Sequence, residues 1–189
     1  KLVGDSVKVC AVVKANGYGH GAVEVSKACL AAGADFLAVA MLSEAMELRE
    51  AGFTCPILIL GWTPEEGYAS AIANEIRLAL FDQEEAARLN AQAISMGKKA
   101  MVHLKLDTGM SRIGLQTNEA GLQAAEAILG MEGLEVEGIF SHFSKGDEYD
   151  KTFAYHQLEA FNGFYEQLVQ RTGIRIPIRH MAASSAIID

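Results

Sequence analysis

The sequence predicts an α/β fold of parallel strands with helices outside, and within that class an incomplete (β/α)8 barrel of the TIM type. Two observations predict it: short apolar runs alternate with longer stretches of helical periodicity, and glycine or proline stands at most of the junctions. The alternation repeats about seven times, one unit short of a barrel, and barrels typically need about 200 residues or more. A doubly wound sheet satisfies the same alternation and stays open as an alternative.

The predicted strands are runs of about four to eight residues that are rich in branched apolar side chains. The fifth alternates apolar and polar residues, whereas several others are almost continuously apolar, as strands buried on both faces are. In chain order the predicted ranges are Val7–Val13, Phe36–Ala40, Pro56–Leu60, Leu78–Phe81, Ala100–Leu106, Leu134–Ser141 and Arg179–Ala182.

The predicted helices lie between these strands and carry apolar residues at the spacing of one helical face. In the first helix this face runs from Val25 to Ala32, and Gly33 ends the helix. Asp82, with Glu85 three residues later, predicts a capping box at the start of another helix. The remaining predicted helices are Ser43–Ala51, a short one after Pro64, one from Asp82 to Gly97, about Glu119–Leu129 and about Tyr149–Gln170.

The composition indicates a folded protein whose main partner is neither nucleic acid nor an anionic membrane. Half of the residues are hydrophobic, and the formal net charge is −8 with no long basic run, which argues against disorder and against nucleic acid or an anionic membrane. Cys10, Cys29 and Cys55 are isolated in the sequence, as in a reduced, cytoplasmic protein. No apolar run of about 20 residues and no leader is visible. The first residue is Lys1 rather than Met, so we expect both ends to be cut.

Reactive side chains of parallel α/β folds collect at the carboxyl ends of the strands, and the first strand ends in Lys14. Lys14 shares a face with Cys10 and Val12, so it points into the barrel mouth if Ala11 and Val13 face the helices. Removal of water there favours the neutral amine, which can form a Schiff base or act as a general base. A lysine that reaches solvent or pairs with a carboxylate is the alternative, and position alone favours it.

The glycine-rich segment "NGYGHG" follows Lys14 and precedes the first helix. Its glycines, Gly17, Gly19 and Gly21, let backbone N–H groups approach an anion closely, and Tyr18 offers a phenol to a phosphate oxygen. A plain strand-to-helix connection is equally compatible with this segment.

The fifth predicted strand places His103 and Lys105 on one inward-facing row, and Arg112 follows in the loop "DTGMSRIG". Two buried cations close together are costly, so we expect an anion between Lys105 and Arg112. Candidates are Asp107, a ligand or a modified lysine. A surface cluster of lysine, aspartate and arginine is the alternative.

Two further strands end in polar side chains, His142 in one and Ser184 with Ser185 in the other. A single histidine at a strand end is typical of a structural hydrogen-bonded group, and serines before a helix are typical N-caps. Late in a barrel such hydroxyls also bind phosphate. The histidines show no metal-ligand spacing with acids or cysteines, so we expect no metal.

Taken together, "AVVKANGYGHG" and "HLKLDTGMSRIG" resemble the two signatures of the alanine racemase family, enzymes of pyridoxal-phosphate fold type III. "SHFS" and "RHMAASSA" are similar to the ends of that family's sixth and seventh strands, although they are less specific. The similarity covers nearly the whole chain. It implies that residues 1–189 are the N-terminal part of a pyridoxal-phosphate-binding barrel, and that the eighth strand and a C-terminal β-domain lie outside the chain.

The resemblance also implies roles for the candidate residues. Lys14 would form the internal aldimine with pyridoxal phosphate and act as the catalytic base on one face of the substrate. Tyr18 and Ser184 would bind the cofactor phosphate, and His142 would support an arginine that contacts the pyridine nitrogen. Arg112 would contact the cofactor's phenolate oxygen and the substrate carboxylate.

Lys105 corresponds to a lysine that many members carry as a carbamate, which would supply the anion expected beside Arg112. Two positions depart from the common pattern: Ala183 stands where asparagine is usual, and Gly17 where alanine is usual. The first substitution removes a polar group next to the expected cofactor site.

The implied function is racemisation of L-alanine and D-alanine by a cytoplasmic homodimer that supplies D-alanine for peptidoglycan. The second base would be a tyrosine of the partner subunit's C-terminal domain, so we expect the 189 residues alone to be inactive. The alternatives are a serine/alanine racemase of the resistance type, a non-catalytic pyridoxal-phosphate carrier on the same barrel, and a barrel lyase or decarboxylase. A carrier has no need of Arg112 at a substrate carboxylate.

Overall fold

The computed structural model describes residues 3, 4 and 6–188. Its centre is a parallel sheet whose strands are neighbours in the order β1-β2-β3-β4-β5-β7-β8, and β6 pairs only with β5. Because spatial order follows chain order, the sheet has the connectivity of a barrel and not of a doubly wound sheet, in which the order reverses. The predicted incomplete barrel of seven parallel strands is confirmed. The strands are β1 (Cys10–Val12), β2 (Phe36–Val39), β3 (Ile57–Ile59), β4 (Ile76–Leu80), β5 (Ala100–Asp107), β6 (Leu115–Gln116), β7 (Leu134–Phe140) and β8 (Ile178–His180).

Helical segments connect consecutive strands of the sheet, as parallel pairing requires. A single turn, α1, follows β1 directly and is left-handed. The segments are α1 (Lys14–Tyr18), α2 (Ala22–Ala31), α3 (Leu42–Glu50), a 3-10 turn (Glu65–Gly67), α4 (Tyr68–Ala73), α5 (Gln83–Ser95), α6 (Glu119–Leu129), α7 (Thr152–Thr172) and α8 (Ser184–Ile188). Within the described part of the chain, none of these helices combines the length and the apolarity that crossing a membrane takes.

The hydrophobic core lies between the outer face of the sheet and the helices. Val102, Leu104 and Leu106 of β5 are completely buried in it, together with Leu37 and Ile57 of the neighbouring strands. The residues that alternate with them on β5 face the barrel interior. This two-residue periodicity separates an apolar packing face from a polar functional face on the same strand.

The first strand is shorter than predicted, with three residues in place of the range Val7–Val13. Its pairing with β2 nevertheless extends past both ends, because Asp35 N–H donates to Val9 O (2.8 Å) and Val13 N–H donates to Ala38 O (2.8 Å). Ala11 and Val13 pack in the core, which confirms the predicted face. The other predicted strands and helices agree with the structure except for a few residues at their ends.

Two predicted capping sites have different outcomes. Asp82 caps α5, because its Oδ1 accepts the Glu85 N–H at 2.9 Å. Glu85 does not complete the reciprocal box: its carboxylate accepts the indole N–H of Trp62. At α8 the helix begins at Ser184 itself, so Ala183 occupies the N-cap position and the predicted serine cap is wrong.

Candidate active site

The predicted site residues lie at the carboxyl ends of the strands, on one rim of the barrel. Lys14 comes two residues after the end of β1, Arg112 lies in the loop after β5, and His142 comes two residues after the end of β7. The pKa of His142 is lowered from 6.5 by burial and by the positive charges of Arg112, Lys105 and Lys14. The structure therefore brings four of the predicted residues together.

The rim after β5 and β7 is held by buried polar contacts. Ser141 Oγ donates to Leu106 O (2.9 Å) and lies 2.8 Å from Thr108 Oγ1. Gln157 of α7 is completely buried, and its Nε2 donates to His142 O (3.1 Å) and Thr108 Oγ1 (3.3 Å). One glutamine thus fixes the ends of both strands to the surrounding helix.

Lys105 is buried, with 4% of its surface exposed. Its Nζ donates to Leu106 O at 2.7 Å and lies 5.2 Å from the centroid of the Phe140 ring. The pKa of Lys105 is lowered from 10.5 to about 8, chiefly by burial; the charge of Asp107 opposes this shift, and the charge of Arg112 adds to it. A surface cluster of lysine, aspartate and arginine is therefore wrong for Lys105, although the Arg112 side chain is exposed.

The carboxylate of Asp107 binds backbone N–H groups of the loop that follows β5. Its Oδ1 accepts the N–H groups of Gly109 (3.0 Å) and Ser111 (2.9 Å). Burial favours the neutral acid, but these N–H donors hold the pKa of Asp107 below its usual value. The Asp107 carboxylate therefore organises the loop that carries Arg112. Among the described residues, the structure shows no hydrogen bond between Asp107 and Lys105.

Tyr18 and Ser184 are, like Arg112, exposed residues of the predicted site. Tyr18 is 59% exposed at the end of the left-handed turn, and Ser184 is exposed at the first position of α8. Both stand beyond the carboxyl ends of the end strands of the sheet, β1 and β8. The structure thus places both hydroxyls on the rim.

The segment after Lys14 folds as a left-handed turn, which the sequence did not predict. Ala15 and Asn16 have φ/ψ of 52°/50° and 53°/49°, where residues with a Cβ cost roughly 1–2 kcal/mol each. Gly17 has φ 61°, and a Cβ there would lie 3.1 Å from Val25, so the glycine in place of the usual alanine relieves a close approach. Strain of this kind is typical of functional sites.

Glu44 holds this turn and was not singled out from the sequence. Its Oε1 accepts the N–H of Ala15 at 2.6 Å, and its Oε2 accepts the N–H of Ala40 at 2.7 Å and of Met41 at 3.3 Å. One carboxylate therefore links the segments that follow β1 and β2. Acidic residues are common in the first turn of a helix, so the sequence gives no reason to expect that Glu44 also binds the distant Ala15 N–H.

Below the rim, the barrel interior contains a buried charge network that we call the floor network: Arg77, Glu137, His103 and His180. Arg77 binds Glu137 through two hydrogen bonds of 2.9 and 3.1 Å. His103 Nε2 lies 3.8 Å from Glu137 Oε2, and its Nδ1 lies 2.9 Å from His180 Nε2. Contact with His103 and Arg77 lowers the pKa of Glu137 to about 2, and burial lowers that of His180 to about 3.

The floor network depends on a glycine. β5 and β7 shift register between Val102 and His103, which places Gly138 opposite His103. A Cβ at Gly138 would lie 2.5 Å from Cε1 and 2.7 Å from Cγ of the His103 ring. The sequence placed His103 on the inward-facing row of β5 but did not indicate its partners Arg77, Glu137 and His180. In the described part of the chain no group of three His, Cys, Asp or Glu side chains could hold a metal ion.

Comparison with known proteins places this geometry in a family. The family model for the N-terminal domain of alanine racemase matches residues 1–189. The chain is 45% identical to an alanine racemase of Methanococcus maripaludis, over all of this chain and 50% of the relative. It is 47% identical to one of Clostridium perfringens, over 100% of this chain and 48% of the relative.

A solved alanine racemase structure from Clostridium difficile 630 superposes with a TM-score of 0.96 at 41% identity, over 100% of this chain and 52% of that one. The chain thus spans about half the length of the relatives it matches. Fold, rim residues and sequence similarity agree, and the chain belongs to the alanine racemase family.

Proposed function

We propose that the protein containing this chain is a racemase that interconverts L-alanine and D-alanine with pyridoxal phosphate. The observation that carries the proposal is the placement of Lys14, Arg112 and His142 after the carboxyl ends of the barrel strands, beside the buried Lys105 of β5. Residues 1–189 would form the cofactor-binding part of the barrel. We further propose that the protein is a cytoplasmic homodimer and that it provides D-alanine for peptidoglycan.

The residues present fit an anionic aldehyde such as pyridoxal phosphate. The positive charges of Arg112, Lys105 and Lys14 act on His142, so a ligand with negative groups would be favoured there. An amine at Lys14 is available to an aldehyde, and hydroxyls at Tyr18 and Ser184 are available to a phosphate. Ala183 offers no polar group to the cofactor, so the two hydroxyls would carry more of the phosphate binding.

Pyridoxal phosphate, when bound, supplies an electron sink that acidifies the α-proton of an amino acid. The residues of this chain would do the remaining work. Lys14 would bind the cofactor through its amine and then hold the α-proton at Nζ on one face of the substrate. Arg112 would bind the substrate carboxylate. Burial and the neighbouring positive charges lower the pKa of His142, so His142 would stay neutral and support its neighbours by hydrogen bonds.

Lys105 would carry a carbamate. With a pKa of about 8, a useful fraction of its amine is neutral near pH 7 to 8. The neutral amine attacks carbon dioxide, a C–N bond forms, and one proton leaves to solvent. The resulting anion would pair with Arg112 and remove the repulsion between the positive charges of Lys105 and Arg112.

The test replaces Lys14 by alanine in the full-length protein. The wild-type protein, supplied with pyridoxal phosphate, should show the visible absorbance of a lysine-bound cofactor and racemise alanine faster than serine. The Lys14→Ala protein should lose both. Lys27→Ala, which removes an exposed lysine paired with Glu24, is the matched control and should keep both.

An unchanged absorbance in the Lys14→Ala protein would contradict the role of Lys14. Turnover of serine that equals or exceeds that of alanine would favour the alternative function, a serine/alanine racemase of the resistance type. Cofactor binding without racemisation of either amino acid would favour the carrier. The isolated 189 residues should be inactive, because the second base is proposed to come from the partner subunit.

A further inference from the structure

The direction of the Lys14 side chain depends on the peptide that follows it. The Lys14–Ala15 peptide opens a turn in which Ala15, Asn16, Gly17 and Tyr18 all have positive φ. A turn of this kind is not stable by itself, because residues with a Cβ disfavour the left-handed region. Surrounding groups must hold it, because rotation of the backbone here would unwind the turn that begins at Lys14 and so shift the base of its side chain.

Glu44 is placed to prevent that rotation. The Ala15 N–H belongs to the peptide that joins Lys14 to Ala15, and it donates to Glu44 Oε1 at 2.6 Å. The other oxygen, Oε2, is held by Ala40 N–H at 2.7 Å. Because both oxygens are engaged, the carboxylate cannot turn without losing a charge-assisted hydrogen bond.

Helix capping does not explain this arrangement. A residue at the third position of a helix reaches back to the N-cap N–H, and Glu44 does so at Met41 over 3.3 Å. That bond is the longest of the three. The two short bonds go to Ala40 and to Ala15, which is 29 residues away in sequence on the neighbouring strand's loop.

We propose that Glu44 is a positioning residue for Lys14: it ties the peptide after the lysine to the end of β2 and so aims the amine into the site. The inference rests on the proposed role of Lys14 in racemisation. Glu44 itself contacts no reacting atom. Its carboxylate acts through the backbone, so its loss should affect the proton transfer at Lys14 more than the binding of alanine.

The test compares Glu44→Gln and Glu44→Ala with Glu47→Gln in the full-length protein. Glu47 is exposed on the same helix, so its variant controls for the lost charge. Amide exchange of the segment 14–22, measured by mass spectrometry without added cofactor, should be about tenfold or more faster in both Glu44 variants. The turnover number for alanine should fall about 10- to 100-fold with KM changed less than about threefold.

The two readouts separate the possible failures. Unchanged exchange in the Glu44 variants would overturn the contact, and faster exchange with unchanged turnover would overturn the positioning role. If Glu44→Ala fails to fold, Glu44→Gln keeps one acceptor oxygen and the test proceeds with it. If even the Glu47→Gln protein does not racemise alanine, the proposed function fails, while the exchange experiment still decides whether Glu44 holds the turn.

Discussion

Replacing Gly138 by alanine would force one methyl group into the floor network. The new Cβ would lie 2.5 Å from Cε1 and 2.7 Å from Cγ of His103, well inside the ordinary contact distance between carbon atoms of 3.5–4.0 Å. His103 is only 2% exposed and has His180 2.9 Å from its Nδ1. The ring therefore has to move, and the histidine pair separates.

The cost has two parts. An extra methyl in a packed interior costs about 1–3 kcal/mol, and loss of the buried hydrogen bond between His103 and His180 costs about 1 kcal/mol more. The sum is about 2–4 kcal/mol. With a denaturant dependence of about 2 kcal/mol per molar urea, the unfolding midpoint falls by about 1–2 M.

The assay is urea unfolding of the full-length protein followed by circular dichroism, with Gly163→Ala as the matched control. Gly163 lies inside α7, and an added Cβ there meets no atom within 4 Å. Alanine is better in a helix interior by about 1 kcal/mol, so the control midpoint should rise. A Gly138→Ala protein as stable as the wild type would refute the reasoning.

Two further predictions concern buried charges. Glu137→Gln should destabilise the protein at pH 7 by up to about 3 kcal/mol, because His103 and Arg77 depress the pKa of the carboxyl from 4.5 to about 2. A depressed folded-state pKa means that this stability is present above pH 4.5 and lost as pH falls towards 2, so the denaturation curves of variant and wild type should converge in acid. With carbon-13-labelled bicarbonate as the source of carbon dioxide, the carbamate signal of Lys105 should be stronger at pH 8.5 than at pH 6.5, since its pKa is about 8. Lys105→Arg should abolish that signal, and a signal that persists in Lys105→Arg would contradict the assignment.

The strands and helices could be predicted from the sequence more completely than the order of the strands in the sheet. Hydrophobic residues recur every two positions in a strand and about every 3.6 positions in a helix that is buried on one face. A change between these two periods indicated nearly every strand and helix. The order of the strands needed the structure, since a barrel and a doubly wound sheet share the same alternation. The strand-end rule found Lys14, Arg112 and His142 because chemistry and topology coincide at that rim.

The contacts that support the site could not be predicted. Glu44 reaches a peptide 29 residues away, Arg77 and Glu137 are 60 apart, and His103 and His180 are 77 apart. No spacing rule connects positions on different strands. The left-handed turn could not be predicted for a different reason. Alanine rarely adopts this conformation, and asparagine does so as a single residue and not within a run, so tertiary contacts must select the turn.

The close approach of Gly138 to His103 also bears on how this barrel can change over time. Each residue restricts the other: a side chain at 138 requires something smaller than an imidazole at 103, and the imidazole tolerates only hydrogen at 138. Substitutions at these two positions are therefore interdependent. In a lineage that remodels this part of the barrel interior, both residues must change together, or His103 must be replaced before a side chain is introduced at position 138.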